Sequence, residues 1–491
     1  MGVLEIAGLH RWAVGSLFAF GCNVEPVEPV EFIEIAPSEA RDAGTVQPDL
    51  LILLASGLRS DPGDTLGAES ALLAPLGARV TWSFDDAYTA SPSQLVSLGS
   101  LLTGRYPSAI PMCGLIRTGA KGETERPWCS RIPSDVPTLP EVLGLYGYDT
   151  ALFRSRVFGG DALDTHFDDS FAVVSVAGGV RTPWPTLQDS LVDWWGAHAD
   201  GPRLAVVVVS DLMYTERPDI FDDLGLEGWT GANAEGRGRC AGLHQQAVAR
   251  YDADAAAVGQ ALEGLLQQLD GLPSERPQVT VVGSTNGMSL GEIEGRLSTP
   301  DFFFSNSLVL DRTTHVPLVV SVDDPDGRLG LGDLPPAVRV TAIVELVDLL
   351  PTLLELGGAV PPAGIAGRSL LGGPEPEPYA YAELGDMVSL RSGRFTVNFR
   401  APRHNSSALD PRLNQLLLAP GRRGRIYLND VVADPMQLNV ARPGLDYPVA
   451  QRDQLYEQLC TVRTGLAAPP PEAMTPERVK AIRLTHSEGY W

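Results

Sequence analysis

The sequence predicts an α/β protein, with a large, mostly parallel β-sheet between helices and a small C-terminal α+β subdomain that contains an antiparallel sheet. Apolar runs such as Leu50–Leu54 and Leu204–Val209 have the continuous hydrophobicity of strands that are buried on both faces. They alternate with segments such as Tyr251–Leu272, in which apolar residues recur about every 3.6 positions, the period of an α-helix. This alternation is typical of helices that cover both faces of a parallel sheet.

Composition limits the functions that the chain can have. Of its 491 residues, 44% are hydrophobic and 20% are charged, which is typical of a globular protein with a large core. The formal net charge is −24, from 37 basic and 61 acidic residues. This acidic balance argues against nucleic acid and anionic membrane surfaces as partners. Any anion must therefore be bound by local groups.

The segment Phe84–Pro107, FDDAYTASPSQLVSLGSLLTGRYP, is the most informative part of the chain. It resembles, without a gap, the nucleophile segment FxxAYxxxPxCxPSRxxLLTGRYP of the sulfatase family, which belongs to the alkaline phosphatase-like superfamily. The resemblance implies an alkaline phosphatase-like fold and a relation to sulfuric ester hydrolases. Active members of the family bind Ca²⁺ and carry formylglycine, made from the motif Cys or Ser, whose hydrated aldehyde attacks the sulfate sulfur.

In this alignment the nucleophile position is Gln94 and the motif arginine is Leu98. A carboxamide cannot replace an aldehyde hydrate, a thiol or a hydroxyl as nucleophile. A second register, which places Ser91–Ser93 on the xPS of the motif, puts Ala90 at the nucleophile position and Gln94 at the arginine. Both registers lose the nucleophile, although the Ser91 and Ser93 hydroxyls lie nearby in sequence. Without the resemblance, the same residues predict an N-capped amphipathic helix packed on a sheet.

The segment Pro48–Asp61, PDLLILLASGLRSD, resembles the first strand and turn of a sulfatase, PNxLLIxxDDLRxD. In that family the two aspartates at the end of the strand bind the divalent cation, because hard cations need clustered oxygen ligands. This chain has Ser56 and Gly57 at those places. Arg59 and Asp61 match the pattern, at positions that shape the turn more often than they hold the ion.

The segment Gln278–Glu292, QVTVVGSTNGMSLGE, resembles the later strand and turn LVVVTSDHGExLGE. The family's Asp and His, which bind the cation or the nucleophile, are here Thr285 and Asn286. The amide oxygen of Asn286 is a candidate ligand, whereas a threonine hydroxyl is a weak replacement for a carboxylate. A basic position further along is Ser305. The resemblance therefore predicts no intact catalytic residue, no metal site and no cofactor.

Further motifs in the same order extend the resemblance over about residues 48–441. We interpret the chain as a pseudosulfatase, in which the framework persists without the chemistry, and which acts as an exported binding or scaffold protein. The alternative is an active sulfuric or phosphoric ester hydrolase with a relocated site. A lone His315 lacks metal-ligand spacing and is expected to precede a strand, partly buried or on the surface. Candidate residues for a relocated site are Asp61, Asp85, Asp86, Asp211, Arg105 and His315.

Arg59, Arg105, Arg154 and Arg156 are candidate ligand-binding residues. Guanidinium groups bind anions in a bidentate manner without a metal, so these residues predict a sulfated or acidic glycan as partner. Another exported protein is the other predicted partner. The same four residues are also compatible with a solvated surface that binds nothing.

The N-terminus resembles a bacterial lipoprotein signal peptide over residues 1–22, with an apolar run, Trp12–Phe20, before Gly21 and Cys22. The resemblance implies that Cys22 carries the lipid and that residues 23–45 form a Pro- and Glu-rich linker. The predicted location is the cell envelope, in the periplasm or on the outer surface. Glu5 and the bulky Phe20 depart from the pattern, so an N-terminus without a signal stays open.

The domain boundaries follow from the motifs and linkers. We expect a sulfatase-like α/β domain over residues 46–373, a C-terminal subdomain over 379–460 and a tail over 461–491. The four cysteines besides Cys22 allow three pairings, and Cys113 with Cys129 is favoured because these two flank one loop. Export would permit such a bridge. The remaining two are Cys240 and Cys460.

Overall fold

A computed structural model describes part of the chain. The described residues are 46–61, 73, 76, 80–110, 112, 131–155, 163–171, 184–212, 244–290, 309–329, 331, 338–372, 378–384, 387–400, 425–433 and 449–466. The predicted signal peptide and the linker at 23–45 lie outside them, as do several residues named above: Cys22, Cys113, Cys129, Arg156, Cys240 and Ser305.

The larger part of the fold is built on an eight-stranded sheet, as the sequence predicts. Its strands are β1 Asp49–Ala55, β2 Val80–Tyr88, β3 Asp149–Arg154, β4 Asp169–Phe171, β5 Arg203–Val209, β6 Gln278–Gly283, β7 Leu318–Asp323 and β8 Val338–Glu345. Their order across the sheet is β4-β3-β5-β1-β6-β7-β2-β8, and β7 alone runs antiparallel to its neighbours. The apolar run of β1 is continuous because the two faces of this central strand pack into two different cores.

The helices lie on both faces of this sheet. They are α1 Gln94–Thr103, α2 Leu139–Leu145, α3 Trp184–Ala197, α4 His244–Asp270, the single turn α5 Asp311–Thr314, and α6 Leu349–Gly357. Leucines of α1, α2 and α6 pack against Leu50, Ile52 and Leu54 of β1. Apolar side chains of α3 and α4 pack on the opposite face against Leu51 and Leu53. The long helix predicted from its 3.6-residue period is thus α4, which begins two turns earlier than predicted.

The C-terminal part is a four-stranded antiparallel sheet with one helix, as predicted. Its elements are β9 Tyr379–Leu384, β10 Met387–Ser392, β11 Phe395–Arg400, β12 Arg425–Asp430 and α7 Val449–Gly465. Apolar residues of α7 and of these strands form a separate core. The buried pair of Arg463 and Glu383 ties α7 to β9, and Glu383 also accepts a hydrogen bond from the Ser108 backbone N–H of the larger part. The predicted boundary at residue 460 falls inside α7.

None of the described helices is both long enough and apolar enough to cross a bilayer.

Candidate active site

The positions aligned with the family's reactive groups lie at the carboxyl ends of neighbouring strands in the large sheet. Ser56 follows β1, Ser210 follows β5, and Thr285 follows β6, and these three strands are neighbours in the sheet. The Ser56 backbone N–H donates to the Val209 carbonyl at 2.8 Å, which fixes the ends of β1 and β5 side by side. In open α/β sheets ligands bind outside the carboxyl ends of the strands. The alignment therefore corresponds to a real cluster in the fold.

Gln94 is the first residue of α1, after the extended Ser93 at the N-cap. Its amide Nε2 donates to the Ser210 hydroxyl at 3.0 Å, and the Ser210 backbone N–H donates in turn to the Ser155 hydroxyl at 2.8 Å. The side chain is buried, with 7% of the residue exposed, and its Oε1 has no hydrogen-bond partner among the described residues. At the nucleophile position the protein thus has a carboxamide that links α1 to β5.

The aligned cation positions form a second hydrogen-bonded group. The Thr285 hydroxyl lies 2.7 Å from the Ser56 hydroxyl and 2.8 Å from Asn286 Oδ1. Because an amide oxygen only accepts, Thr285 donates its single proton to Asn286, and Ser56 donates to Thr285. Asn286 Nδ2 donates to the Gly287 carbonyl at 2.9 Å. Ser56, Thr285 and Asn286 are completely buried and uncharged.

These residues do not fit Ca²⁺. The cation takes 6 to 8 oxygen ligands, usually with carboxylates among them, whereas the hydroxyl and amide oxygens here are bonded to one another. Gly57 has a φ of +93°, and a Cβ at this position would lie 2.8 Å from the Leu212 carbonyl oxygen. A carboxylate at position 57 therefore requires the backbone to move. In the described part of the chain, no three or more His, Cys, Asp or Glu residues are grouped to hold a metal ion.

Formylglycine does not fit either. It is made from a Cys or a Ser, and Gln94 has neither a thiol nor a hydroxyl. Leu98, at the motif arginine, is buried in the core on the sheet side of α1, as the helix pattern predicts. The Ser91 hydroxyl accepts a hydrogen bond from the Ser93 backbone N–H at 3.3 Å, and both serines are buried.

The candidate arginines that the structure describes contact groups of the protein itself. Arg59 is buried, pairs with Asp61 at 3.1 Å and donates to the Met288 carbonyl at 3.0 Å. Arg154 pairs with Asp164 at 2.5 Å, and Arg105 donates to the Ala363 carbonyl at 2.8 Å. Burial lowers the pKa of both Arg105 and Arg154. Ligand binding by these arginines stays a prediction.

Three of the candidate residues for a relocated site, Asp85, Asp86 and His315, lie close to one another. Asp85 pairs with Arg339 at 2.7 Å, and its backbone carbonyl lies 2.8 Å from His315 Nε2. His315 also lies 3.7 Å from Asp86 and stacks on Tyr88, with 4.8 Å between the ring centroids. It is buried and precedes β7, in agreement with its predicted position before a strand.

Sequence reasoning missed the roles of Ser155 and Ser210. Each is the first residue after an apolar strand, β3 or β5, and these strands are neighbours in the sheet. The available signal in the sequence was a serine directly after each of these two buried strands. The partner of Ser210 was not predictable in this way, because Gln94 lies 116 residues away in the chain.

The architecture is that of the alkaline phosphatase-like fold. A phosphonate monoester hydrolase of Agrobacterium radiobacter matches with a TM-score of 0.55 and 17% identity, over 85% of this chain and 95% of that one. A protein solved with its substrate D-glucosamine-2-N,6-O-disulfate matches with a TM-score of 0.58 and 14% identity, over 87% of this chain and 99% of that one.

A relative in sequence points to one family with this fold. The chain is 23% identical over 393 residues to an ulvan-active sulfatase of Formosa agariphila, which covers 74% of this chain and 70% of that protein. No protein-family model matches the chain. With the shared fold and the sequence match, the chain is a divergent member of the sulfatase family.

Proposed function

We propose that this protein is a pseudosulfatase: a sulfatase-family protein that has lost ester hydrolysis and acts as an exported binding or scaffold protein. The observation that carries the proposal is Gln94, which occupies the nucleophile position and is hydrogen-bonded to Ser210. A primary carboxamide is not a nucleophile toward sulfate or phosphate esters. The nearby hydroxyls make hydrogen bonds within the protein: those of Ser56 and Thr285 are bonded to each other, and that of Ser210 accepts from Gln94 itself.

The loss of the cation site supports the same proposal. A divalent cation polarises the transferred group and stabilises the charge that develops on it. Ser56, Gly57, Thr285 and Asn286 are uncharged, and the backbone at Gly57 leaves no room for a carboxylate. The nucleophile and the cation ligands of the family's reaction are therefore both replaced. Gln94 is bonded to Ser210, and Thr285 is bonded to Ser56.

The proposed partner is a glycan, held at the carboxyl edge of the sheet. A structural neighbour was solved with a disulfated glucosamine as its substrate, and the relative in sequence acts on ulvan. These matches support a carbohydrate ligand for a protein that kept the fold. We propose that a sulfate group of this glycan is held by four arginines, Arg59, Arg105, Arg154 and Arg156. Alanine at these positions should then weaken the binding of sulfated polysaccharide.

Export is part of the proposal. Cys460 forms a disulfide, and all other cysteines of the chain lie outside the described residues. Disulfides persist mainly in oxidising compartments such as the periplasm and the cell surface. This supports a location in the cell envelope, with Cys22 as the proposed site of a lipid anchor.

The test is a panel of aryl sulfates and aryl phosphates, each assayed with added Ca²⁺, Mg²⁺, Mn²⁺ or Zn²⁺. The ulvan-active sulfatase, purified in parallel, is the positive control. We expect no turnover above the level of a mock purification. Turnover that follows the protein through purification and disappears in His315→Ala would overturn the proposal and support the relocated ester hydrolase site instead.

A further inference from the structure

The unpaired end of the Gln94 carboxamide needs an explanation. Its Nε2 is bonded to Ser210, but Oε1 is buried without a partner among the described residues. Leaving a buried acceptor unpaired costs about 1–3 kcal/mol. Native proteins pair almost all such atoms, so an atom left unpaired by the described residues indicates a further partner, and a water molecule or a ligand can supply it.

The start of α1 adds unpaired donors at the same place. Ser93 makes no side-chain cap, and the described residues provide no acceptor for the backbone N–H groups of Gln94, Leu95 and Val96. All three residues are buried. The first N–H groups of a helix require such an acceptor. Among the described residues, the site therefore presents unpaired donors and an unpaired acceptor within two residues of each other in the chain.

A hydroxyl group matches this combination. Its proton can be donated to Gln94 Oε1, and its oxygen can accept from the N–H groups at the start of α1. A sulfate group only accepts, so it leaves Oε1 unpaired and faces it with a second negative atom.

Charge also favours an uncharged group. Gln94 is bonded to the neutral Ser210, whose backbone N–H donates to the neutral Ser155. Two of the three described arginines that are candidates for binding an anion, Arg59 and Arg154, pair with Asp61 and Asp164. The whole chain carries a formal net charge of −24, which gives sulfated polymers no general attraction.

We infer that Gln94 and the first turn of α1 bind a free hydroxyl group of a neutral sugar, and that this site discriminates against a sulfate at the same place. The inference rests on the proposed function, since it assigns a ligand class to the old reaction site. At this position the active sulfatases form a covalent bond to the substrate, whereas the proposed contact is a reversible hydrogen bond.

The experiment measures binding of cellobiose, maltose and lactose, each beside its monosulfated derivative, by saturation-transfer NMR and calorimetry. We expect at least one neutral sugar to bind about tenfold more tightly than its sulfated form, equivalent to about one hydrogen bond. Gln94→Met, which keeps the length but not the polar atoms, should weaken that binding about tenfold. Gln94→Glu, which keeps an acceptor, should retain it within about threefold.

Two further variants control the result. Gln268→Leu changes an exposed glutamine of α4 and should bind like the wild type. Ser210→Ala removes the anchor of Gln94 and should weaken binding of the neutral sugar even if Gln94→Met does not fold.

Each contrary result has a distinct meaning. Tighter binding of the sulfated sugars would overturn the inference in favour of an anion site. Absence of sugar binding in the wild type would overturn the inference, with a water molecule alone at the site. Binding by Gln94→Met and Ser210→Ala that equals binding by the wild type would have the same meaning. Turnover of aryl esters would refute the proposed function, and it is measured separately from binding, so the two failures are distinguishable.

Discussion

The hydroxyls of Ser56 and Thr285 lie 2.7 Å apart, at the ends of the neighbouring strands β1 and β6. Both residues align with carboxylates that hold the divalent cation in sulfatases. Two carboxylates at this distance need a cation or a shared proton between them, because like charges repel strongly in a buried place. Two hydroxyls need none, since one donates to the other. The contact links the strand ends directly, without a metal ion.

The first prediction concerns Thr285→Asp. A carboxylate at this completely buried position would have no cation, so we expect a loss of about 3 kcal/mol or more in the free energy of unfolding. Thr285→Val, the control, leaves the Ser56 hydroxyl and Asn286 Oδ1 without this partner and should cost about 1–3 kcal/mol, with no dependence on Ca²⁺. Urea unfolding with and without millimolar Ca²⁺ measures both. Recovery of Thr285→Asp by Ca²⁺ would mean that a functional cation site remains, against the proposed function.

The second prediction concerns Gly57. At φ +93°, a side chain is strained, and its Cβ would also lie 2.8 Å from the Leu212 carbonyl oxygen. Gly57→Ala should therefore destabilise the protein by about 2–4 kcal/mol. Gly147→Ala is the matched control, because Gly147 has a similar φ of +87° but no atom within 4 Å of the added Cβ.

The control isolates the steric part of the cost. We expect Gly147→Ala to destabilise by about 1 kcal/mol, the cost of the backbone conformation alone. Equal effects of the two substitutions in thermal unfolding would contradict the claim that the backbone at position 57 excludes a carboxylate.

The third prediction concerns the pH dependence of stability through Glu345. This carboxyl is fully buried at the end of β8 and accepts from the Tyr106 hydroxyl at 2.6 Å and the Tyr381 N–H at 2.7 Å. Burial, with a smaller contribution from the charge of Asp348, raises the pKa of Glu345 from its usual 4.5 to about 8. Between these values the unfolded chain releases a proton that the folded protein retains, so stability falls as pH rises.

The slope is about 1.4 kcal/mol per pH unit, and it ends above the folded pKa. Glu345→Gln removes this dependence, so its stability relative to the wild type should increase from pH 5 to pH 8 and then stay constant. Urea unfolding at three pH values across this window measures the change. Glu457→Gln, at an exposed position of α7, is the control. A difference between Glu345→Gln and wild type that is independent of pH would refute the assignment.

The fourth prediction concerns the Cys460 disulfide. Non-reducing peptide mapping should find the Cys460 peptide joined to another cysteine peptide, and reduction should lower the melting temperature, because such a bridge contributes about 2–5 kcal/mol. Cys460→Ser should show the same loss. A free thiol at Cys460 in protein isolated from its native host would contradict both the bridge and the proposed export.

Much of the fold could be predicted from the sequence. The apolar run of β1 requires burial on both faces, and the period of α4 requires one apolar side, whatever the surrounding topology. The motif segment Phe84–Pro107 identified the family and the loss of the nucleophile at Gln94. These are properties of residue type and local order along the chain.

Other features depend on residues that are distant in sequence. The pairing of β7 antiparallel to β6 and β2 has no local signature. Burial raises the pKa of Glu345, and the Tyr106 and Tyr381 groups that contact this carboxyl are distant from it in the chain. The contacts of Arg59 with Asp61 and of Arg154 with Asp164 are likewise seen only in the structure.

The sequence by itself determined that this is a sulfatase-family chain with neutral residues at the positions of the reactive groups. Only the tertiary structure decided what those neutral residues do. It places Gln94 against Ser210 and Thr285 against Ser56, and it leaves Gln94 Oε1 without a partner among the described residues. The physical reason is that a hydrogen bond depends on the position of two groups in space, and residue identity fixes only which groups can take part.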